Sequence, residues 1–132
     1  MDQPPNAFLH PITVNPADID QLGHVNNVVF IRWVQEVSEA HWLHVAPETL
    51  RQRYRWVVLR HEIDYRHPVF ISDKIGGTTW VGAHHGARFE RFVQLSSLLD
   101  KKVFAEAKTI WCIFDSRTKK TVRIPDEVLQ LL

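Results

Sequence analysis

The chain has 132 residues, 45% of them apolar and 23% charged, which suits one globular domain spanning 1–132 with a single core. Its 16 basic and 15 acidic residues nearly cancel, so no general electrostatic drive toward nucleic acid exists. No apolar run approaches the roughly 20 residues needed to cross a bilayer; the opening Met1-Asp-Gln-Pro-Pro-Asn lacks the regions of a signal peptide; and the lone Cys112 precludes an internal disulfide. The expectation is a cytoplasmic protein with no membrane or nucleic-acid partner.

In chain order, a short strand is expected from Phe8 to Val14. The segment Pro16-Ala-Asp18-Ile-Asp20-Gln-Leu-Gly23-His24-Val-Asn26-Asn27 follows, crowding carboxylates, an imidazole and two asparagines together. Beyond it Phe30, Trp33, Val34, Val37 and Ala40 recur at helical spacing, so a helix starts near Asn26 or Asn27. Asparagine is a favoured helix cap, and the remaining unpaired amides form a positive site suited to a developing oxyanion.

Four strands are expected next. Residues 55–66 alternate, with Val57, Leu59, His61, Ile63 and Tyr65 on one face and Arg60, Glu62, Asp64 and Arg66 on the other. Residues 74–83 contain Gly76 and Gly77, which mark a bulge or the close approach of another backbone. Residues 87–99 put Phe89, Val93, Leu95 and Leu99 on one face with Arg91 among them, and His84-His85-Gly86 before them suggests a hairpin. Residues 103–115 form the last long strand, carrying Cys112 as a buried, inert thiol. One long helix and a run of strands argue for an α+β domain with a mostly antiparallel sheet.

The pattern Asp18-x-Asp20-x-x-Gly23-His24-x-Asn26-Asn27, then a long apolar helix with an aromatic and a Glu, resembles the hotdog-fold acyl-CoA and acyl-ACP thioesterases, including the hydroxybenzoyl-CoA thioesterase group. The resemblance extends to Ile63-Asp-Tyr65-Arg-His-Pro68, to Ser72-Asp73-Lys-Ile and to Ala107-Lys-Thr-Ile-Trp111-Cys-Ile-Phe-Asp115, and so covers nearly the whole chain. It implies a curled sheet wrapped around one central helix, at least a homodimer or a homotetramer, and active sites at the subunit interface. It implies hydrolysis of an acyl-CoA or acyl-ACP thioester to free acid and thiol, with no cofactor.

Thioester hydrolysis needs an activated water or a protein nucleophile, plus stabilisation of charge on the carbonyl oxygen. The family's catalytic carboxylate maps onto Asp20, as general base toward water or as a nucleophile passing through an anhydride. Asp18 is expected to brace the loop, Asn27 to offer the substrate-facing amide, and His24 to orient the water or shuttle a proton. Gly23 is expected to adopt a positive φ. Phe30, Trp33 and Val57 are candidate walls of an acyl tunnel. His61 reads as a hydrogen-bonded core histidine or a substrate contact. Arg51, Arg53 and Arg55 read as solvated cations or as contacts to coenzyme A phosphates. Plant-type acyl-ACP thioesterases carry an Asn two residues after the catalytic Asp, where this chain has Leu22; the hydroxybenzoyl-CoA group lacks both that Asn and a His at the position of His24.

Other readings compete. Glu36 is an alternative carboxylate within the helix, although an Arg32/Glu36 pair at i,i+4 spacing explains it equally well. A hotdog dehydratase or hydratase would carry an Asp-x-Asn-Pro-x-His loop, which is missing. A non-catalytic acyl-binding module on the same scaffold would bind without turnover. The eight histidines lack metal-site spacing, and no Gly-x-Ser-x-Gly elbow, Walker loop or dinucleotide fingerprint occurs.

Overall fold

A computed structural model describes all of residues 1–132. The long helix α1 (Asn27–Val45) buries Val29, Phe30, Trp33, Val34, Val37, Ser38 and His41. That set is the 3–4 residue stripe a helix needs to bury one face. Asn26 begins the helix by accepting the Val28 amide on its side chain at 3.0 Å. Pro47 ends the region, and a short helix α2 (Glu48–Arg53) follows; it places Arg51 and Arg53 on a helix where the alternation gave no element.

Five strands, β1 (Phe8–Ile12), β2 (Tyr54–Tyr65), β3 (Ile75–His85), β4 (Arg88–Ser97) and β5 (Val103–Asp115), form one sheet in the order β1-β3-β4-β5-β2. A two-residue β6 (Lys120–Thr121) pairs with the end of β5, and a terminal turn of helix α3 (Asp126–Leu129) closes the chain. Every pairing is antiparallel, and α1 packs against β1, β3 and β4. This is the expected α+β hotdog arrangement of a curled sheet around one helix.

Bulges supply the curl, because an extra residue in one strand bends it and increases its twist. They fall between Val58 and Arg60 in β2, between Val81 and His84 in β3, and between Leu95 and Ser96. The β2 bulge corrects the face assignment for that strand. Tyr54, Trp56 and Val58 lie opposite Asp115, Ile113 and Trp111, whereas His61 and Ile63 lie opposite Thr109 and Ala107. Both sets share the concave face, since Leu59 absorbs the change of phase. Val57 therefore pairs with Cys112 on the outer face and is 47% exposed.

Two glycines are dictated by geometry. A Cβ on Gly77 would collide with the Val37 side chain of α1, so the expected close approach is that of a helix side chain. Gly86 has φ 60° in the two-residue β3–β4 turn, the conformation of a type II′ hairpin. The β4 strand ends at Ser97, which leaves Leu99 in a turn and 79% exposed instead of on the buried face.

The main core of 14 buried residues joins α1 to the sheet through Val93, Leu95, Phe104, Ala105 and Ala107. A second cluster of six, Tyr54, Phe89, Trp111, Ile113, Ile124 and Val128, sits where the C-terminal segment folds back. No helix is long and apolar enough to cross a membrane.

Candidate active site

The loop before α1 is a miniature hairpin. Ile19 bridges Val25, the Asp20 amide donates to His24 O at 2.9 Å, and Gly23 N–H donates to Asp20 O at 3.0 Å. Gly23 holds φ 86°, the left-handed conformation that favours glycine. The two aspartates diverge. Asp18 is 4% exposed and accepts from the Asn15 amide at 3.0 Å and from Arg32 Nη2 at 2.8 Å. Its carbonyl also takes the Asn26 amide at 3.0 Å, so it ties the loop to the helix start.

Asp20 is half-open to solvent. Its Oδ1 accepts the Leu22 amide at 2.9 Å and lies 4.0 Å from His24 Nδ1, leaving Oδ2 without a partner in the chain. His24 Nδ1 also lies 3.3 Å from Val25 O. At the helix start Asn26 covers the Val28 amide and its carbonyl takes the Val29 amide. The Asn27 N–H has no acceptor in the chain, the arrangement that makes a helix N-terminus a site for negative charge.

A cleft of about 210 Å³ opens beside the helix start, lined by His24, Val25, Asn27, Phe30, Tyr65, Arg66, His67 and Pro68; Asp20 lies outside this lining. Tyr65 and His67 are functional candidates that the strand alternation did not single out. Tyr65 donates its hydroxyl to Asn27 O at 3.3 Å and packs its ring 5.3 Å from Phe30. Trp33 stacks behind Phe30 at 5.4 Å and is 1% exposed, so it backs the wall instead of forming it. Val57, on the outer face, lines neither this cleft nor the larger cavity described below. His61 faces inward, but its buried Nδ1 has no hydrogen-bond partner, contrary to the expected bonded core histidine, and burial lowers its pKa.

A second, larger cavity of about 600 Å³ lies beneath the later half of α1. Aromatic walls come from Trp42, Trp56, Trp111 and Phe89, while Arg51, Arg55 and Arg91 bring positive charge and Glu36 and Glu39 negative. Arg91 is 2% exposed. Its Nη1 donates to His41 Nδ1 and to Thr79 Oγ1, each at 3.0 Å. His41 must therefore accept on Nδ1, and burial first, then Arg91 and His44, lower its pKa to about 4. Burial lowers that of Arg91 to about 10, which leaves it charged at neutral pH.

The three arginines expected to act together separate. Arg53 turns to Asp115 at 3.4 Å, whereas Arg51 and Arg55 face the large cavity. Glu36 also lies there, 3.7 Å from Arg32, and sits nine residues beyond Asn27, or about 14 Å along the helix axis. No group of three or more His, Cys, Asp or Glu side chains is brought together as a metal cage.

A curled antiparallel sheet around one long helix is the hotdog architecture. The family model of the thioesterase-like superfamily matches residues 14–132, and the chain belongs to that superfamily. Among curated relatives, the chloroplastic acyl-[acyl-carrier-protein] hydrolase FATB3 of Cuphea viscosissima is 29% identical over 85 residues, which is 64% of this chain. The chain spans only 20% of that relative's length. Among solved structures, a thioesterase superfamily protein from Jannaschia sp. CCS1 superposes with a TM-score of 0.89 at 19% identity, covering 99% of this chain and 94% of that one. A 1,4-dihydroxy-2-naphthoyl-CoA thioesterase from Synechocystis gives 0.79 at 19% identity over 95% and 93%. A Thermus thermophilus thioesterase complexed with coenzyme A and Zn gives 0.80 at 18% identity over 92% and 88%.

Proposed function

We propose that this protein hydrolyses an acyl thioester of coenzyme A or acyl-carrier protein to the free acid and the thiol. The observation that carries the reading is the unpaired Asn27 amide at the start of α1, a few residues beyond a carboxylate with a free oxygen. The thioester carbonyl oxygen would rest on Asn27 N–H, where charge developing during attack meets the helix dipole. Asp20 then acts in one of two ways. As general base it takes a proton from water as the water oxygen bonds to the carbonyl carbon; as nucleophile it bonds to that carbon itself, giving an anhydride that water later cleaves. In both, the C–S bond breaks and the leaving thiolate takes up a proton. His24 orients the water or passes the proton.

Phe30 and Tyr65 give the acyl group its first apolar contact. Arg51 and Arg55 hydrogen-bond only to backbone carbonyls, so no carboxylate neutralises them and their charge is available to a phosphate of the carrier. Assembly follows from the sheet edges, since two copies joined through β2 would bury edge groups otherwise open to aggregation.

The test is release of free thiol from short, medium, long and aromatic acyl-CoAs by native protein and by Asp20→Asn. Turnover that collapses in the variant supports the reading, and absence of turnover on every thioester defeats it. Single turnover in ¹⁸O-water separates the routes, because only the anhydride route leaves label in Asp20.

A further inference from the structure

The large cavity beneath α1 is built around a cation that no group in the chain neutralises. Both protons of Arg91 Nη1 are committed, to His41 and Thr79. Its Nε and Nη2 make no hydrogen bond within the chain, and no carboxylate lies within ion-pair distance of it. The residue is nonetheless 2% exposed, and a buried, unpaired charge is costly. The guanidinium is also held rigidly. The Thr79 hydroxyl that accepts from it donates onward to Phe92 O at 2.8 Å. Thr109 donates to the Arg91 carbonyl at 3.1 Å while accepting Trp111 Nε1 at 2.8 Å.

We propose that this cavity binds an acid with an apolar or aromatic body, its carboxylate meeting Arg91 Nε and Nη2. Those two nitrogens form one side of the guanidinium fork, the geometry that grips a carboxylate through parallel N–H···O bonds. The body of the ligand lies among Trp42, Trp56 and Trp111, in a volume of about 600 Å³ suited to a small organic molecule. Charge at the rim favours an anion as well. Arg51 and Arg55 spend their side-chain hydrogen bonds on the backbone carbonyls of Ala46 and Arg51, and Glu36 is matched by Arg32 at 3.7 Å, so that Glu39 is the one wall carboxylate without a cation, against three arginines.

Within one subunit the cavity lies apart from the Asp20 loop. Ser38, on the cavity wall, lies eleven residues beyond Asn27, which is about 16 Å along the helix axis. The inference rests on Arg91 and the aromatic walls around it, not on hydrolysis by Asp20.

Calorimetric titration with 4-phenylbutyrate and its neutral amide, 4-phenylbutyramide, tests it on the native protein. The acid should bind at least about tenfold more tightly than the amide, because only the acid forms charge-assisted bonds. Arg91→Gln should reduce the acid to the affinity of the amide, and Asp20→Asn should leave acid binding unchanged. Equal affinities for acid and amide, no binding of the acid at millimolar concentration, or loss of binding in Asp20→Asn would each overturn the proposal. The acid–amide comparison needs only native protein, so it decides even if Arg91→Gln does not fold.

Discussion

Two aspartates two residues apart show how environment divides the work of one side chain. Asp18 is buried, doubly hydrogen-bonded and paired with Arg32, whereas Asp20 keeps one free oxygen at the surface. Asp18→Ala strands the Asn15 amide and should cost about 1–3 kcal/mol in urea unfolding. Asp20→Asn keeps an acceptor for the Leu22 amide and should leave the unfolding midpoint in place while kcat falls about 10²–10⁴-fold. The reverse pattern would exchange their roles. His41 makes a prediction of its own. The unfolded chain binds its proton near pH 6.5, but the folded protein resists until about 4, because of burial and then Arg91 and His44. That contribution to stability is complete above pH 6.5 and is lost as pH falls toward 4. His61 is shifted in the same direction by burial, while Asp100 and Asp115, held below 3.8, act only at lower pH. The urea midpoint of the native protein should therefore decline across this window, and that of His41→Gln should decline less steeply. Parallel slopes would remove His41 from the account.

The start of α1 is both a structural and a chemical feature. Asn26→Ala removes the acceptor for the Val28 amide, which should cost about 0.5–2 kcal/mol, and should lower kcat as well, because the fraying first turn is the one that presents Asn27 N–H. Asn26→Ser should restore most of the stability; a kcat unmoved by Asn26→Ala would detach the helix terminus from catalysis. The sheet constrains the same helix from the other side. Gly77→Val inserts a branched side chain against Val37 and should destabilise by about 1–3 kcal/mol. What was legible in the sequence at this scale follows local chemistry. Capping asparagines, the apolar stripe and the Gly86 turn mark α1 and the β3–β4 hairpin because each signal lies within a few residues of its effect. The phase of β2 was hidden because its bulge falls in Val57-Val58-Leu59-Arg60, where no glycine marks it. The four-residue α3 was missed because so short a helix has no periodicity to read.

At the scale of the molecule, the loop with Asp20, His24 and Asn27 was readable because its members are contiguous. The Arg91 cavity was not, because Trp42, Trp56 and Trp111 converge only when three elements pack. Assembly follows from comparing the two sheet edges. β1 is five residues long and contains Pro11, and shortness and proline are both features that discourage pairing. β2 is 12 residues long, has no proline, and exposes Val57 and Leu59, each at 47%. If β2 pairs with itself about a two-fold axis between Leu59 and Arg60, Arg55 falls opposite Asp64, an attractive pair made twice by the symmetry, and Val57 falls opposite Glu62. The same axis runs α1 of one copy antiparallel to that of the other, which brings the Arg51 and Arg55 end of one subunit toward the Asn27 cleft of its partner. Light scattering should therefore give twice the chain mass of 15.4 kDa at micromolar concentration. The double variant Val57→Glu, Leu59→Lys, which sets like charges opposite Glu62 and Arg60 across the axis, should shift the mass to that of one chain and lower thioesterase turnover with it. A native protein that stays monomeric would refute β2 as the joint, as would a double variant that remains dimeric; a monomeric variant with full turnover would show instead that each cleft works alone.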